Sequence, residues 1–396
     1  MADQLTYFKE GFSNKYQDVL FKTLVAEKVA NRRLEPDLAI GKKFSRFKLD
    51  LSGVIVRKEV RYTDRTFDKL ADGTQYIEIT EEPYLGFPMH KWEKLQNGPL
   101  KAGEEAGKQI AKKLKQYVDA DIFAQVVNAG DTFDDGDIGG VDGNGIDFNV
   151  NNVAKVTTLL PAKLQANDVE EGNMCYAMDP IMIATIKQML IGKDIDMAGS
   201  VFKNGFSGSV GEFEIFRTNN LTYTARLTPV TAPVNTETIV IGGVTFTFVS
   251  VIGATAGNVL IEGTVAATID NLVALINDPA TTTAKGVKLA DADIKKIRDK
   301  YRCVATDGTT YMDLKCIGSG RLTVSETLSD GAWSLKKLRS YAGKKHQIDI
   351  VMQQDVTPDV AREPKQPVQN VSVDALYGLQ FFDDAKVNVL DLQILV

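Results

Sequence analysis

The sequence predicts an α+β protein with a second, smaller β-rich α+β domain inserted in its middle. Three observations predict this. Short runs of alternating apolar residues recur toward both ends of the chain. Residues 99–129 instead repeat their apolar positions every fourth residue, as a helix does. Near residue 226 a charged style of sequence gives way to one rich in threonine and glycine, and the first style returns after about residue 335.

A chain of 396 residues has room for two or three domains at about 150 residues each. Apolar content of 44% and charged content of 25% suit a folded protein. A net charge of −6 argues against a protein whose main task is to coat nucleic acid with a basic face. No apolar run reaches the roughly 18 residues of a membrane span, so no membrane partner is expected. The opening MADQLTYFKEGF lacks a signal-peptide pattern. Cys175, Cys303 and Cys316 have no CxxC spacing. Cys303 and Cys316 fall in one β unit and can face each other, but reduced thiols in a cytoplasmic setting are the expectation. His90 and His346 are far apart and lack the company of metal ligands.

The elements follow in order. Residues 1–40 carry Tyr16, Val19, Leu20 and Leu24 at helical spacing. They predict a short amphipathic helix on an arm too small for a core of its own. Within residues 41–90, RFKLDLSGVIVRKEVRY and TQYIEIT alternate as strands, with Asp72-Gly73 as the expected turn. The charges there interleave by sign: Arg57, Lys58, Glu59, Arg61, Asp64, Arg65, Asp68 and Lys69. An isolated two-stranded ribbon is marginal in water. This one is expected to lie on another subunit.

Residues 91–152 hold the helix of 99–129, opened by Gly98-Pro99 and closed by Gly130. Its expected length is about 45 Å. In residues 153–225, Met174 to Met178 reads as a buried strand, Asp179-Pro180 as the start of a helix, and GEFEIFRTNNL as a strand ending at a surface turn. Residues 226–335 predict a hairpin around Gly242-Gly243, a helix at TIDNLVALIND, a second hairpin turning at Asp307-Gly308, and a strand at RLTVSET. About 105 residues with their own strands and helix are enough for an independent domain. Replacing residues 228–335 with a Gly-Ser linker is therefore expected to leave the main body folded. Residues 336–365 return with the strand HQIDIVMQ and the loop PDVAREPKQPV. Residues 366–396 close on an apolar run that is expected to be paired and buried.

The sequence offers little chemistry. The glycines at 205, 208 and 211 precede a strand, so they do not form a phosphate loop. Ser207 is followed directly by Gly208, which breaks the Gly-x-Ser-x-Gly elbow. Asp134, Asp135, Asp137, Asp142, Asn144 and Asp147 fail the spacing of a calcium loop. No enzyme activity, cofactor or metal is expected.

The order of these pieces resembles the major capsid protein of tailed double-stranded-DNA bacteriophages, with its HK97-like fold. The resemblance covers most of residues 1–225 and 336–396 and is carried by several segments. TEEPYLGFPMHKWEKLQ is similar to the strand and turn leading into that family's spine helix. AMDP with NGFSGSVGEFEIFRTNNL is similar to a helix-to-strand run of its axial (A) domain. LRSYAGKKHQIDIVMQ and LYGLQFFDDAKVNVLDLQILV resemble its closing strands. The resemblance implies an N-terminal arm (1–40), an extended E-loop (41–90) and a peripheral (P) domain with its spine helix (91–152). It implies an A-domain in two parts (153–225 and 336–365) around the insertion, with P-domain strands at 366–396.

It also implies a structural subunit of an icosahedral head assembled in the host cytoplasm. Arm residues Tyr16, Leu20 and Leu24 and the charged ribbon would contact neighbouring copies in hexamers and pentamers. Packaged double-stranded DNA would be bound without sequence preference, and portal, scaffold and decoration proteins are implied as further partners. Some relatives crosslink through Lys, Asn and Glu. Lys58 and Lys69 could stand for the first, but nothing matches the other two, so crosslinking is not expected. Because the chain starts at the arm, a separate scaffold or none is expected. A tail or neck component of a virion carrying the same inserted module stays open as the alternative.

Overall fold

The computed structural model of the chain describes residues 25–34, 41–50, 54–58, 67–68, 71–90, 102–170, 172–191, 209–210, 213–362 and 368–396. A single 3-10 turn at Ala26–Lys28 leads into β1 (Ala30–Asn31), β2 (Lys43–Asp50), β3 (Ala71–Glu78) and β4 (Tyr84–His90). Helix α1 (Ala102–Ala124), β5 (Asp131–Phe133), α2 (Val150–Ala166), β6 (Met174–Met178) and α3 (Pro180–Ile191) follow. Next come β7 (Ser209–Val210), β8 (Phe213–Arg217), β9 (Thr222–Pro229), β10 (Thr238–Ile241), β11 (Val244–Val249), β12 (Asn258–Leu260) and α4 (Val265–Asn277). The chain closes with β13 (Cys303–Asp307), β14 (Met312–Cys316), β15 (Val324–Glu326), β16 (Gly331–Lys344), β17 (Ile348–Arg362), β18 (Val368–Gln380) and β19 (Val389–Leu395).

The described residues fall into two compact units. The first lies within Asn31–Leu114 and Ile348–Phe382. It holds the antiparallel run β17-β18-β4 and the hairpin β2–β3. Ile77, Ile79, Val351 and Phe382 form its buried cluster, with Leu34, Phe44 and Leu376 packed against them. The backbone of Glu78 and Ile79 fills the space a Cβ would need at Gly378. Only glycine lets β3 approach β18 this closely.

Two expectations fail in this unit. Asp72-Gly73 is not a turn: both residues lie in β3, opposite Leu49 and Lys48. The loop expected at PDVAREPKQPV is strand as far as Arg362, with Pro358 opposite Val373. At that level β18 is the one described partner of β17. An edge strand tolerates a residue that has no N–H to donate. Pro364 and Pro367 lie outside the described residues.

The second unit lies within Asp18–Ala30, Lys115–Gln347 and Asp383–Val396. Its large sheet runs β13-β14-β9-β16-β6-β8-β7, with β19 on the other edge of β16 and β5 beyond it. Helix α1 contributes residues to both units. Its 23 residues span about 34 Å, and it passes into a 3-10 turn at Gln125–Asn128 before Gly130 is reached. It is therefore shorter than expected at its C-terminal end, and the expected start at Pro99 lies outside the described residues. Leu114, Val118 and Ile122 are buried as the four-residue repeat requires.

The acidic loop after α1 consumes its own carboxylates. Asp134 accepts from the backbone of Gly136 and Gly143, each at 2.9 Å. Asp135 accepts from Val141, and Asp137 binds Lys163 at 2.7 Å. Asp179 caps α3 by accepting from the Met182 backbone at 2.9 Å.

Residues 226–335 supply a second sheet, β12-β11-β10-β15, covered by α4. Gly242 and Gly243 have φ of 57° and 78°, which is the left-handed pair a tight hairpin demands. The hairpin β13–β14 does not join this sheet. It extends the large one beside β9. One apolar core accordingly unites Phe246, Phe248, Leu272 and Ile276 with Tyr223, Ala225, Leu227 and Trp333 of β9 and β16.

Two arginines tie the segment down further. The Arg302 guanidinium lies 3.5 Å from the Tyr117 ring and 2.5 Å from Asp121 on α1. Arg321 pairs with the capping Asp179 at 2.5 Å. The turn at 218–221, expected on the surface, is largely buried: Thr218, Asn220 and Leu221 are covered and only Asn219 is exposed. The chain leaves this turn directly into β9, a strand paired on both edges.

One edge of the large sheet is β13. There the Asn277 side chain donates to the Ala305 carbonyl at 2.8 Å and accepts from the Ala305 N–H at 2.9 Å. Cys303 and Cys316 are direct cross-strand partners with Cα atoms 4.1 Å apart, and they are joined as a disulfide. This departs from the expectation of reduced thiols, because the register holds the two sulfurs face to face. Cys175 is free and buried, and burial pushes its thiol up to about 12. Thiol titration of the denatured, unreduced protein is expected to find one reactive thiol per chain. A count of three would show the pair to be reduced.

Candidate assembly interface

The β2–β3 hairpin is built from eight register pairs, from Lys43 opposite Glu78 to Asp50 opposite Ala71. Few of its residues are buried. Lys42 pairs with Glu78 at 3.2 Å, and the Lys43 ammonium sits 3.3 Å from the centre of the Tyr76 ring. Beyond β2 and β3, Arg57 meets Asp68 through two hydrogen bonds of 2.5 and 2.7 Å. The Ile55 N–H also donates to Asp68, at 3.0 Å. The Arg57 partner and the Ile55 N–H lower the Asp68 carboxyl to about 2, so this exposed clamp stays charged across ordinary pH.

The clamp displays apolar side chains. Val56 is fully exposed, Phe67 is 84% exposed and Ile55 is 63% exposed, with Val54 beside them. Phe47 and Tyr84 are exposed in the same unit. Exposed apolar residues grouped this way are a candidate contact surface.

Of the ribbon charges singled out from the sequence, Arg57 and Asp68 come together and Lys58 is exposed. Glu59, Arg61, Asp64, Arg65 and Lys69 lie outside the described residues, as do arm residues Tyr16, Leu20 and Leu24. Val54 and Val56 were expected in strand, but residues 54–58 are not part of β2. Their alternation is one of exposed apolar residues, which the sequence signal does not distinguish from a buried face.

A second site escaped sequence reasoning. Asp119 on α1 accepts from the backbone N–H groups of Val25 and Ala26 at 2.8 and 2.7 Å. Its other oxygen accepts from the Asn220 side chain at 2.6 Å. Asp119 is 4% exposed and Asn220 is 2% exposed. Further along the same segment, the Val29 carbonyl accepts from the Gln347 N–H at 3.2 Å. His346 Nδ1 lies 2.8 Å from the Ala30 carbonyl. Lys28 and Lys345 both stand over the Phe216 ring, at 4.5 and 5.4 Å. The paired asparagines at 219–220 were the visible trace of this site, but nothing local linked them to residue 119.

Among the described residues no three His, Cys, Asp or Glu side chains converge as metal ligands. No helix among them is long and apolar enough to cross a membrane. Ser207 lies outside the described residues.

No protein-family model matches the chain, and no curated protein matches it in sequence. Solved structures do match it over nearly its whole length. A structure described as Mycobacterium phage Che8 shares 12% identity, covering 98% of this chain and 97% of its own, with a TM-score of 0.52. The capsid structure of the cyanophage P-SCSP1u shares 10% identity, covering 97% and 92%, with a TM-score of 0.53. The chain therefore has the α+β fold of a phage capsid structure.

Proposed function

We propose that this protein is the structural subunit of a phage head, assembling with copies of itself into an icosahedral shell around double-stranded DNA. The observation that carries the reading is a match to a capsid structure over almost the full length of both chains. The exposed apolar ribbon supports it, since a subunit that works only in a closed assembly presents such surfaces to its neighbours. On this reading β2–β3 and the Arg57–Asp68 clamp are the extended loop, and α1 is the spine helix. Residues 25–34 are the root of an N-terminal arm, and residues 226–335 are an insertion in the axial domain. Portal, scaffold and decoration proteins are the further partners it suggests, with assembly in the host cytoplasm. The role is structural, without an enzymatic step.

Negative-stain microscopy of the full-length chain is expected to find closed shells or shell fragments. Tubes or rings would point to a tail or neck component. A discrete monomer by light scattering at high concentration would overturn both. Replacing Ile55 and Val56 together with aspartate is expected to raise the concentration needed for assembly by about tenfold or more. The melting temperature of the unassembled chain should stay unchanged, because neither side chain is buried.

A further inference from the structure

We infer that Asp119 and Asn220 form a latch that seats residues 25–30, and that shell closure requires the latch to be engaged. The inference rests on the proposed shell-subunit role, but the latch itself stands on geometry. One buried carboxylate oxygen takes two successive backbone N–H groups, and the other oxygen is held by a buried amide. Recognition is of the backbone, so it depends on the path of the segment and little on its side-chain identity. Val25, Ala26, Val29 and Ala30 are all buried once the segment is seated. The carbonyls of Val29 and Ala30 meet the turn at 346–347, so the segment is held at both ends.

Seating residues 25–30 pre-organises this part of the subunit before it meets a copy of itself, so less of the ordering cost falls on assembly. The strength of the latch lies in charge-assisted hydrogen bonds taken out of water. Those bonds are lost together if the carboxylate is removed, because each N–H then lacks its acceptor.

The test uses the full-length chain and two variants. Asp119→Asn keeps the size of the side chain but removes its charge, and it sets two amides against each other at residue 220. The exchange variant Asp119→Asn/Asn220→Asp restores a donor–acceptor pair. Hydrogen exchange at the Val25 and Ala26 amides is expected to speed up by about tenfold or more in Asp119→Asn. The double variant should slow it again. The concentration needed for shell formation should rise and recover in the same order. Unchanged exchange at these amides in Asp119→Asn would overturn the latch, whatever happens to overall melting. Faster exchange with shell formation as in the original chain would overturn its role in closure. If the original chain forms no shells, the shell reading fails, and the exchange data alone decide whether the latch exists.

Discussion

Replacing residues 228–335 with a short Gly-Ser linker is expected to give an insoluble chain, in contrast to the expectation from composition alone. The segment looks separable because its style differs from its surroundings, but its core does not stop at its ends. Tyr223 and Leu227 on β9 are buried against residues of the segment. Burying a side chain of this size contributes about 1.5–3 kcal/mol. Exposing both costs on the order of 3–6 kcal/mol, comparable with the lower end of the 5–15 kcal/mol that stabilises a typical domain. Deletion also removes β13 and β14, so β9 becomes a bare edge. It takes Arg302 away from Asp121 and Arg321 away from Asp179 as well. Soluble yield and thermal melting of the deleted chain measure the effect. A soluble, cooperatively melting product within a few degrees of the original would show that the core is divisible after all.

Arg339→Ala is expected to be the most damaging single substitution in the large sheet, costing about 3–5 kcal/mol. Arg339 pairs with Asp391, whose side chain is 1% exposed, and its Nε donates to Thr224 at 3.2 Å. Gln393 donates to the same Asp391 oxygen at 3.3 Å, while Lys337 donates to Gln393 at 2.6 Å. Burial raises the Asp391 carboxyl from 3.8 to about 6, against the pull of Arg339 and Lys337.

The folded state therefore holds its proton to higher pH than the unfolded chain does. This residue's contribution to stability falls as pH rises from about 4 to about 6 and is level above that. Removing Arg339 deletes the main counter-charge, so the decline should steepen and extend above pH 6. Asp391→Asn should abolish that slope. The double variant Arg339→Ala/Asp391→Asn should be more stable than Arg339→Ala, because no uncompensated charge stays buried. Urea unfolding measured between about pH 4 and pH 8 would read all three. A pH profile unchanged in Asp391→Asn would disprove the assignment.

Local pattern carried most of the elements and little of the long-range pairing. The glycine pair of the β10–β11 hairpin, the Asp-Pro start of α3 and the apolar repeat of α1 all act within a few residues, and they are where the spacing puts them. Strand register across hundreds of residues is not local. Nothing near Lys337 announces that it faces Leu395, or that Thr224 lies on its other side. The apolar run at the C-terminus was readable as buried, but Asp391 and Gln393 within it are legible only beside Arg339 and Lys337. The same holds for Asp119, one acidic residue on a helix rich in charge, which accepts hydrogen bonds from residues as distant as 25, 26 and 220. At the ribbon, the sequence showed sign-alternating charge, while the exposed apolar side chains beside the Arg57–Asp68 clamp were read as strand.

The amide of Asn277 has a bearing on how such chains coexist at close quarters. Its oxygen and nitrogen take up the N–H and C=O of Ala305 that β13 would otherwise offer outward. A ribbon edge left open invites the next chain to zip onto it, and crowding multiplies those encounters. Here a single side chain imitates the missing neighbour strand and withdraws the invitation. At Ala305 this edge has no free backbone group to offer a second chain.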